Sequence, residues 1–191
     1  MANGRITTGL SKMYVATYSE SGGTVSYSGT SILARAVSAT MDITSADDNN
    51  FYADNILAES AAGQFGGGTL TLTVDGLLST QEKLILGLPT ADGDGWTAYG
   101  DNMTIPYVGV GFVIRYMSDG VTSYVPVVLT KVKFNQPSIS ANTQEAEIDW
   151  QTQELTATIL RDDTSNHVWM KKCAAESTEA AAAAKITALL A

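Results

Sequence analysis

Thr69-Leu70-Thr71-Leu72-Thr73-Val74 alternates apolar and hydroxyl side chains without a break. Successive side chains on a β-strand point to opposite faces, so this stretch sets Leu70, Leu72 and Val74 on one face and three threonines on the other. A helix would scatter the same residues around its circumference. The stretch therefore reads as a strand with one buried face.

The same signal recurs along the chain. From Leu33 to Thr44, Leu33, Val37, Ala39, Met41 and Ile43 share one parity, with Arg35 the exception, and Ala34, Ala36, Ser38, Thr40, Asp42 and Thr44 take the other. Val108, Val110, Phe112, Ile114 and Tyr116 share a face of a third strand whose opposite face carries Gly109 and Gly111, and glycine there marks a bend or the close approach of another group. Asp119-Gly120 then turns the chain. The return strand, from about Tyr124 to Phe134, is expected to put Val128, Val132 and Phe134 on one face and Lys131 and Lys133 on the other, with Pro126 pointing to an edge or a bulge. Ala146, Ile148 and Trp150 have even parity but Leu155, Ala157 and Ile159 odd parity, which calls for a phase switch between Gln151 and Glu154. Shorter strands are expected at Lys12–Tyr18 and His167–Lys172.

Two helices interrupt this pattern. Ser79-Thr80-Gln81-Glu82 matches the capping box S-x-x-E and predicts a short helix from about Thr80 to Leu88. A second helix begins near Ser177 or Thr178, runs through the alanines 180–184, and offers only Ile186, Leu189 and Leu190 as an apolar stripe. So narrow a stripe is expected to dock on assembly or to fray. The excursion Ser45–Gly68 stands apart: it opens polar, turns aromatic at Phe51-Tyr52, carries a turn signal at Asp54-Asn55 and closes on Gly66-Gly67-Gly68. A loop this long between two patterned strands is usually functional or disordered, and its aromatic pair favours docking.

Composition narrows the function. With 191 residues and 45% hydrophobic content, the chain suits one domain with a real core. The single cysteine, Cys173, rules out an internal disulfide, and the lone His167 leaves no cluster for zinc. Met1–Lys12 lacks the apolar segment of a leader, and no stretch is long enough to span a bilayer, so the expected location is the cytosol or a particle assembled there. The net charge of −9 is concentrated between Asp42 and Asp119, where eleven acids face only Lys83 and Arg115. Such a surface repels phosphate and lacks a nucleic-acid footprint.

The sequence carries no catalytic signature. His167 lies in Asn166-His167-Val168-Trp169 with no nucleophile elbow in the chain, which points to a satisfied surface or interface histidine. The glycines at 66–68 and at 109 and 111 match no phosphate-binding fingerprint and read as structural. Asp92-Gly93-Asp94-Gly95 is half a calcium loop without its distal ligands, and reads as an acidic turn. Cys173 reads as a buried or interface thiol. No catalytic, cofactor-binding or metal-ligating residue is assigned.

Two stretches carry a resemblance: Ser45-Ala46-Asp47-Asp48-Asn49-Asn50-Phe51-Tyr52-Ala53-Asp54-Asn55, and Gly63 to Leu77, which reads Gly-Gln-Phe-Gly-Gly-Gly-Thr-Leu-Thr-Leu-Thr-Val-Asp-Gly-Leu. Together with the order of strands, from about residue 10 to residue 172, they resemble the major tail protein, or tail tube subunit, of long-tailed (siphovirus-type) phages of Gram-positive hosts. The resemblance implies a mainly β chain, a β-sandwich or barrel of the tail-tube type with one short flanking helix, to which the residue pattern adds a C-terminal helix. Residues 1–176 would form the tube domain, with 45–68 as its long loop or hairpin, and 177–191 a helical tail.

It implies a non-enzymatic virion protein that assembles in the host bacterial cytoplasm into stacked hexameric rings. The lumen would pass DNA without binding it specifically, and the other partners would be the tape measure, terminator and baseplate or tip proteins, with no membrane and no cofactor. The matching residues of the ring-bridging loop are Asp47, Asp48, Asn49, Asn50, Phe51, Tyr52, Asp54 and Asn55, with Phe51 and Tyr52 as the apolar anchor. Two alternatives stand beside it: a tube or terminator component of a contractile or secretion-like apparatus, and a glycan-binding β-sandwich adhesion module using Trp96, Trp150 and Trp169.

Overall fold

Alternation along the chain becomes ten strands and two helices in a computed structural model that describes residues 4–47, 49–53, 55–61, 64–101, 103–144 and 149–191. The strands are β1 (Ile6–Ser21), β2 (Thr24–Ile32), β3 (Ala36–Ser45), β4 (Asn49–Ala53), β5 (Ile56–Ala61), β6 (Phe65–Val74), β7 (Val108–Ser118), β8 (Val121–Phe134), β9 (Gln153–Leu160) and β10 (Met170–Lys172). Helix α1 spans Ser79–Leu86 and α2 spans Glu179–Leu189. One antiparallel sheet runs β2-β1-β7-β8-β9-β6-β3, with β10 paired to β8; β4 and β5 form a hairpin of their own. The chain is mainly β with one short and one C-terminal helix, as expected.

The topology forces the sheet to curl. β2 and β3 end the strand order yet are joined by only Leu33, Ala34 and Arg35. In a flat sheet the two would stand about 29 Å apart at about 4.8 Å per strand, whereas the linker reaches at most about 14 Å. The sheet is therefore rolled like a sandwich, and the Leu33 N–H, donating to the Met13 carbonyl (2.9 Å), carries the β1–β2 pairing one residue into the linker. Its concave face buries Met13, Val15, Leu33, Leu70, Leu72, Val74, Val110, Phe112, Leu129, Phe134, Leu155, Ala157 and Ile159, joined by Ile85 and Leu86 of α1. The inward residues predicted for the strands at 69–74 and 155–159 are all buried here, and of those predicted for 108–116 Val108, Val110 and Phe112 are buried while Ile114 and Tyr116 are partly buried against the same core.

Bulges correct the predicted faces of two strands and interrupt the register of a third. In β8, Val132 pairs with Val108 but Leu129 pairs with Val110, so an extra residue between Leu129 and Val132 flips the alternation. Val125, Val127 and Leu129 therefore point inward before it and Val132 and Phe134 after it, and Val128 belongs to the outer face. β8 is central, not an edge. Pro126 is accommodated because its carbonyl accepts from the Cys173 N–H (3.1 Å) where the chain passes beyond β10, on the side where its own donor is missing. In β3 the extra residue is Val37, which is turned out and 56% exposed, while Ala36, Ala39 and Met41 pack on the core. In β1 the shift lies between Ser11 and Tyr14, where Lys12 takes a left-handed φ of 54°.

Other expectations change at element ends. The capping box does not form: Leu78 is the N-cap, with no side-chain cap hydrogen bond, and Ser79 is already helical. Helix α1 stops at Leu86 because Gly87 adopts φ 63° and returns its N–H to the Lys83 carbonyl. β1 is longer than expected and β10 shorter, and β2 was not expected at all. Trp150 lies outside any strand and is 85% exposed, while Ala146 and Ile148 fall outside the described residues.

The C-terminal stripe neither frays nor waits for a partner. Helix α2, capped by Thr178 Oγ1 accepting from the Ala181 N–H (3.2 Å), packs Ala182, Ile186 and Leu190 on Ala16, Val113 and Val128 of the outer face. Gly109 and Gly111 make this possible. A Cβ on Gly109 would lie 2.7 Å from Leu190 Cδ2 and 2.6 Å from Tyr27 Cε1, and one on Gly111 would collide with Ile186 Cγ2. The close approach expected at these glycines is that of the helix. No helix among the described residues is long and apolar enough to cross a membrane.

Candidate assembly surfaces

The segment 45–68 is an extended ribbon. Ser45 pairs with Phe65, the Ala46 N–H donates to the Gln64 carbonyl (2.7 Å), and Asn49 then pairs with Ala61 in unchanged register. The hairpin β4–β5 thus prolongs the β3–β6 ladder beyond the rolled sheet. Nine residues at about 3.3 Å each give it a reach of about 30 Å if straight. Gly66 is the extra residue of a bulge at its base, where a Cβ would meet the Ala46 nitrogen at 3.0 Å.

Of the predicted contact residues, Asp47 is exposed just before the arm, and Asn50 is exposed opposite Ser60. Asn55 turns the tip with φ 63°, next to Ile56, which is 68% exposed. Asn49, Phe51 and Tyr52 lie in β4, the last two opposite Glu59 and Leu57; their side chains lie outside the description, as do residues Asp48 and Asp54 altogether.

A loop clamps the base of the arm. Phe65 stacks on Trp169 at 4.8 Å and 9°, and Arg161 donates to the Phe65 carbonyl. Buried Asp162 shapes that loop by accepting at Oδ1 from the Val168 N–H (2.9 Å), the Thr164 N–H (3.2 Å) and the Thr164 hydroxyl (2.6 Å). Its neighbour Asp163 accepts from Lys131 Nζ (2.6 Å) and the Tyr18 hydroxyl (2.7 Å), fixing the loop to β8 and β1. Lys131, and after it Tyr18, hold the Asp163 carboxyl below its ordinary range. Burial, and then the Asp163 carboxylate, push the Tyr18 hydroxyl up to about 12. The Lys131 ammonium also lies 4.6 Å from the Tyr107 ring centre. This constellation fastens the loop to the sheet.

The outer face of β3–β6–β9 is a grid of hydroxyls. Across the three strands the register aligns Ser38, Thr73 and Glu154, then Thr40, Thr71 and Thr156, then Asp42, Thr69 and Thr158. No base stands within it, and Lys133 of β8 borders it beside Thr158. Both sheet edges keep exposed apolar residues, Ile32 (53%) at the end of β2 and Val37 and Ile43 (40%) on β3. Alternation gives the outward threonines of β6, but their alignment with hydroxyls on β3 and β9, and which strands lie at the edges, depend on pairing over a distance.

The expected chemistry of single residues is modest. Cys173 is exposed, not buried. His167 is exposed at φ 48° in the clamp loop. Among the described residues no group of three or more His, Cys, Asp or Glu side chains could hold a metal ion. Trp169 is spent on Phe65, whereas Trp96 stays 77% exposed. Compared with known proteins, the chain matches no family model and no curated protein.

Proposed function

We propose that this chain is a structural subunit of a phage-type tail tube, joining copies of itself into stacked rings around a lumen that conducts DNA. The observation that carries this reading is the ribbon, a two-stranded arm that continues the β3–β6 ladder beyond the rolled sheet. A two-stranded hairpin is marginal alone in water, so an arm of this length acquires its stability against another molecule. The exposed edges β2 and β3 suit lateral pairing between subunits, which removes the aggregation hazard of open edges. The hydroxyl grid suits the lumen: it offers water-like hydrogen bonding and no cation to hold a phosphate. No bond is made or broken in this function.

Electron microscopy in negative stain, on concentrated native protein and on a Phe51→Ala/Tyr52→Ala variant, tests the proposal. Tubes or rings are expected from the native chain, with rings that no longer stack in the variant. A native protein that stays a monomer at all concentrations overturns it. The adhesive alternative keeps one observation, the concavity of about 560 Å³ lined by Trp96, Pro89, Thr90 and Met103; binding on a glycan array that is lost in Trp96→Ala would favour it.

A further inference from the structure

The loop between α1 and β7 presents an exposed indole on a turn that is already ordered. Asp92 Oδ1 accepts from the backbone N–H groups of Asp94 (3.1 Å) and Trp96 (2.8 Å), and the Asp92 N–H donates to the Trp96 carbonyl (2.9 Å). The four residues 92–95 are thereby folded around one carboxylate, and Trp96 stands 77% exposed at their end. Burying an indole releases much apolar surface, and a contact residue that is held in place beforehand loses little entropy on docking. Tryptophan is accordingly enriched where interfaces concentrate their energy.

A complementary socket exists elsewhere on the molecule. Pro126, Val128, Ile186 and Leu189 floor a groove of about 280 Å³ between β10 and α2, and Lys171, Lys172 and Lys185 stand around it. The volume accepts an indole but falls below the ~300–1,000 Å³ of ordinary small-molecule sites. Among the described residues none of these three lysines is in an ion pair, although acids outnumber bases 20 to 11 in the chain. Lysines without a carboxylate partner around an apolar floor, Lys172 resting over the Tyr116 ring at 5.8 Å, call for an apolar group accompanied by carboxylates, and Asp92 and Asp94 precede Trp96.

We propose that the Trp96 turn of one copy docks in the β10–α2 groove of the next, the indole against Leu189 and the rim left open at Val128, above the fully buried Ile186, and the Asp94 carboxylate facing the lysines. Helix α1 belongs to the concave core and α2 to the outer face of β7 and β8, so knob and socket are different surfaces of the subunit. A contact between different surfaces is heterologous, and propagates into rings or filaments instead of closing as a pair. This inference rests on the self-assembly reading and assigns residues to one of its contacts.

Two exposed-residue variants test it, Trp96→Ser without the knob and Lys171→Glu/Lys185→Glu without the socket, with circular dichroism to verify that each remains folded. Sedimentation velocity is expected to show native assemblies larger than a dimer. Each variant alone should need at least a tenfold higher concentration to assemble. Mixed in equal amounts, the two should form a dimer at concentrations where neither variant alone associates, since one intact knob then meets one intact socket. Assembly undiminished in both variants overturns this contact and leaves the self-assembly reading standing. Weakened assembly in both without a dimer on mixing overturns the pairing of these two surfaces, and a native protein that never associates overturns both readings.

Discussion

The outer faces of two neighbouring parts of the sheet differ completely, although their inner faces are built alike. Leu70, Leu72 and Val74 of β6 and Val108, Val110 and Phe112 of β7 bury the same kind of side chain in the same core. Outside, β6 shows Thr69, Thr71 and Thr73, while β7 shows Gly109, Gly111 and Val113 beneath α2. The inner face decides that a strand forms. The outer face decides what may lie on it, a helix where glycine lets it approach and solvent or a passing polymer where threonine keeps the surface wet.

The covered face should be the easier to break. Ile186 is fully buried between α2 and β7, so Ile186→Ala is expected to destabilise the isolated subunit by about 2–5 kcal/mol, read from its urea midpoint at constant slope. If α2 docked only in an assembly, the monomer's midpoint would not move. A smaller loss is expected from the floor of the same contact. Gly111→Ala adds a single methyl group where Ile186 already lies, and should cost about 1–3 kcal/mol through overpacking. Adding Ile186→Ala to it should recover part of that loss, because the second change removes the collision; strictly additive losses would mean that the two residues do not touch.

Much of this contrast was legible in the sequence, but in separate pieces. Gly109 and Gly111 announced a close approach and Ile186, Leu189 and Leu190 a stripe without a home; only the rolled topology brings the two together. Strict alternation located the core strands because burial on one face leaves a period of two. It failed at Val37 and Val128, since a bulge shifts the period by one residue and leaves no mark in composition. β2 was missed because an edge strand buries so little that Thr24 to Ile32 needs no apolar face. The arm was legible as an excursion with a turn at Asn55, whereas its continuous register with β3 and β6 depends on pairing over a distance. The Asp92–Trp96 turn read as an acidic loop, and what the sequence could not tell was that the carboxylate folds inward and leaves the indole out.

The bare face yields the smallest effect on the subunit and the sharpest test of its use. Thr71 sits mid-grid between Thr40 and Thr156, half-buried on the outer face. A lysine there can extend into solvent, so Thr71→Lys should change subunit stability by no more than about 0.5 kcal/mol. In an assembled tube the same substitution would line the proposed lumen with one cation per copy, closely spaced around each ring. Phosphate contacts release counterions, and the affinity they confer falls steeply with salt. Tubes of the variant should therefore retain short duplex DNA at about 50 mM salt and release it by about 200 mM, where native tubes retain none at either. Equal retention by native and variant tubes would place this grid away from the conduit, because a cation added to a wall that DNA never passes cannot change how DNA is held.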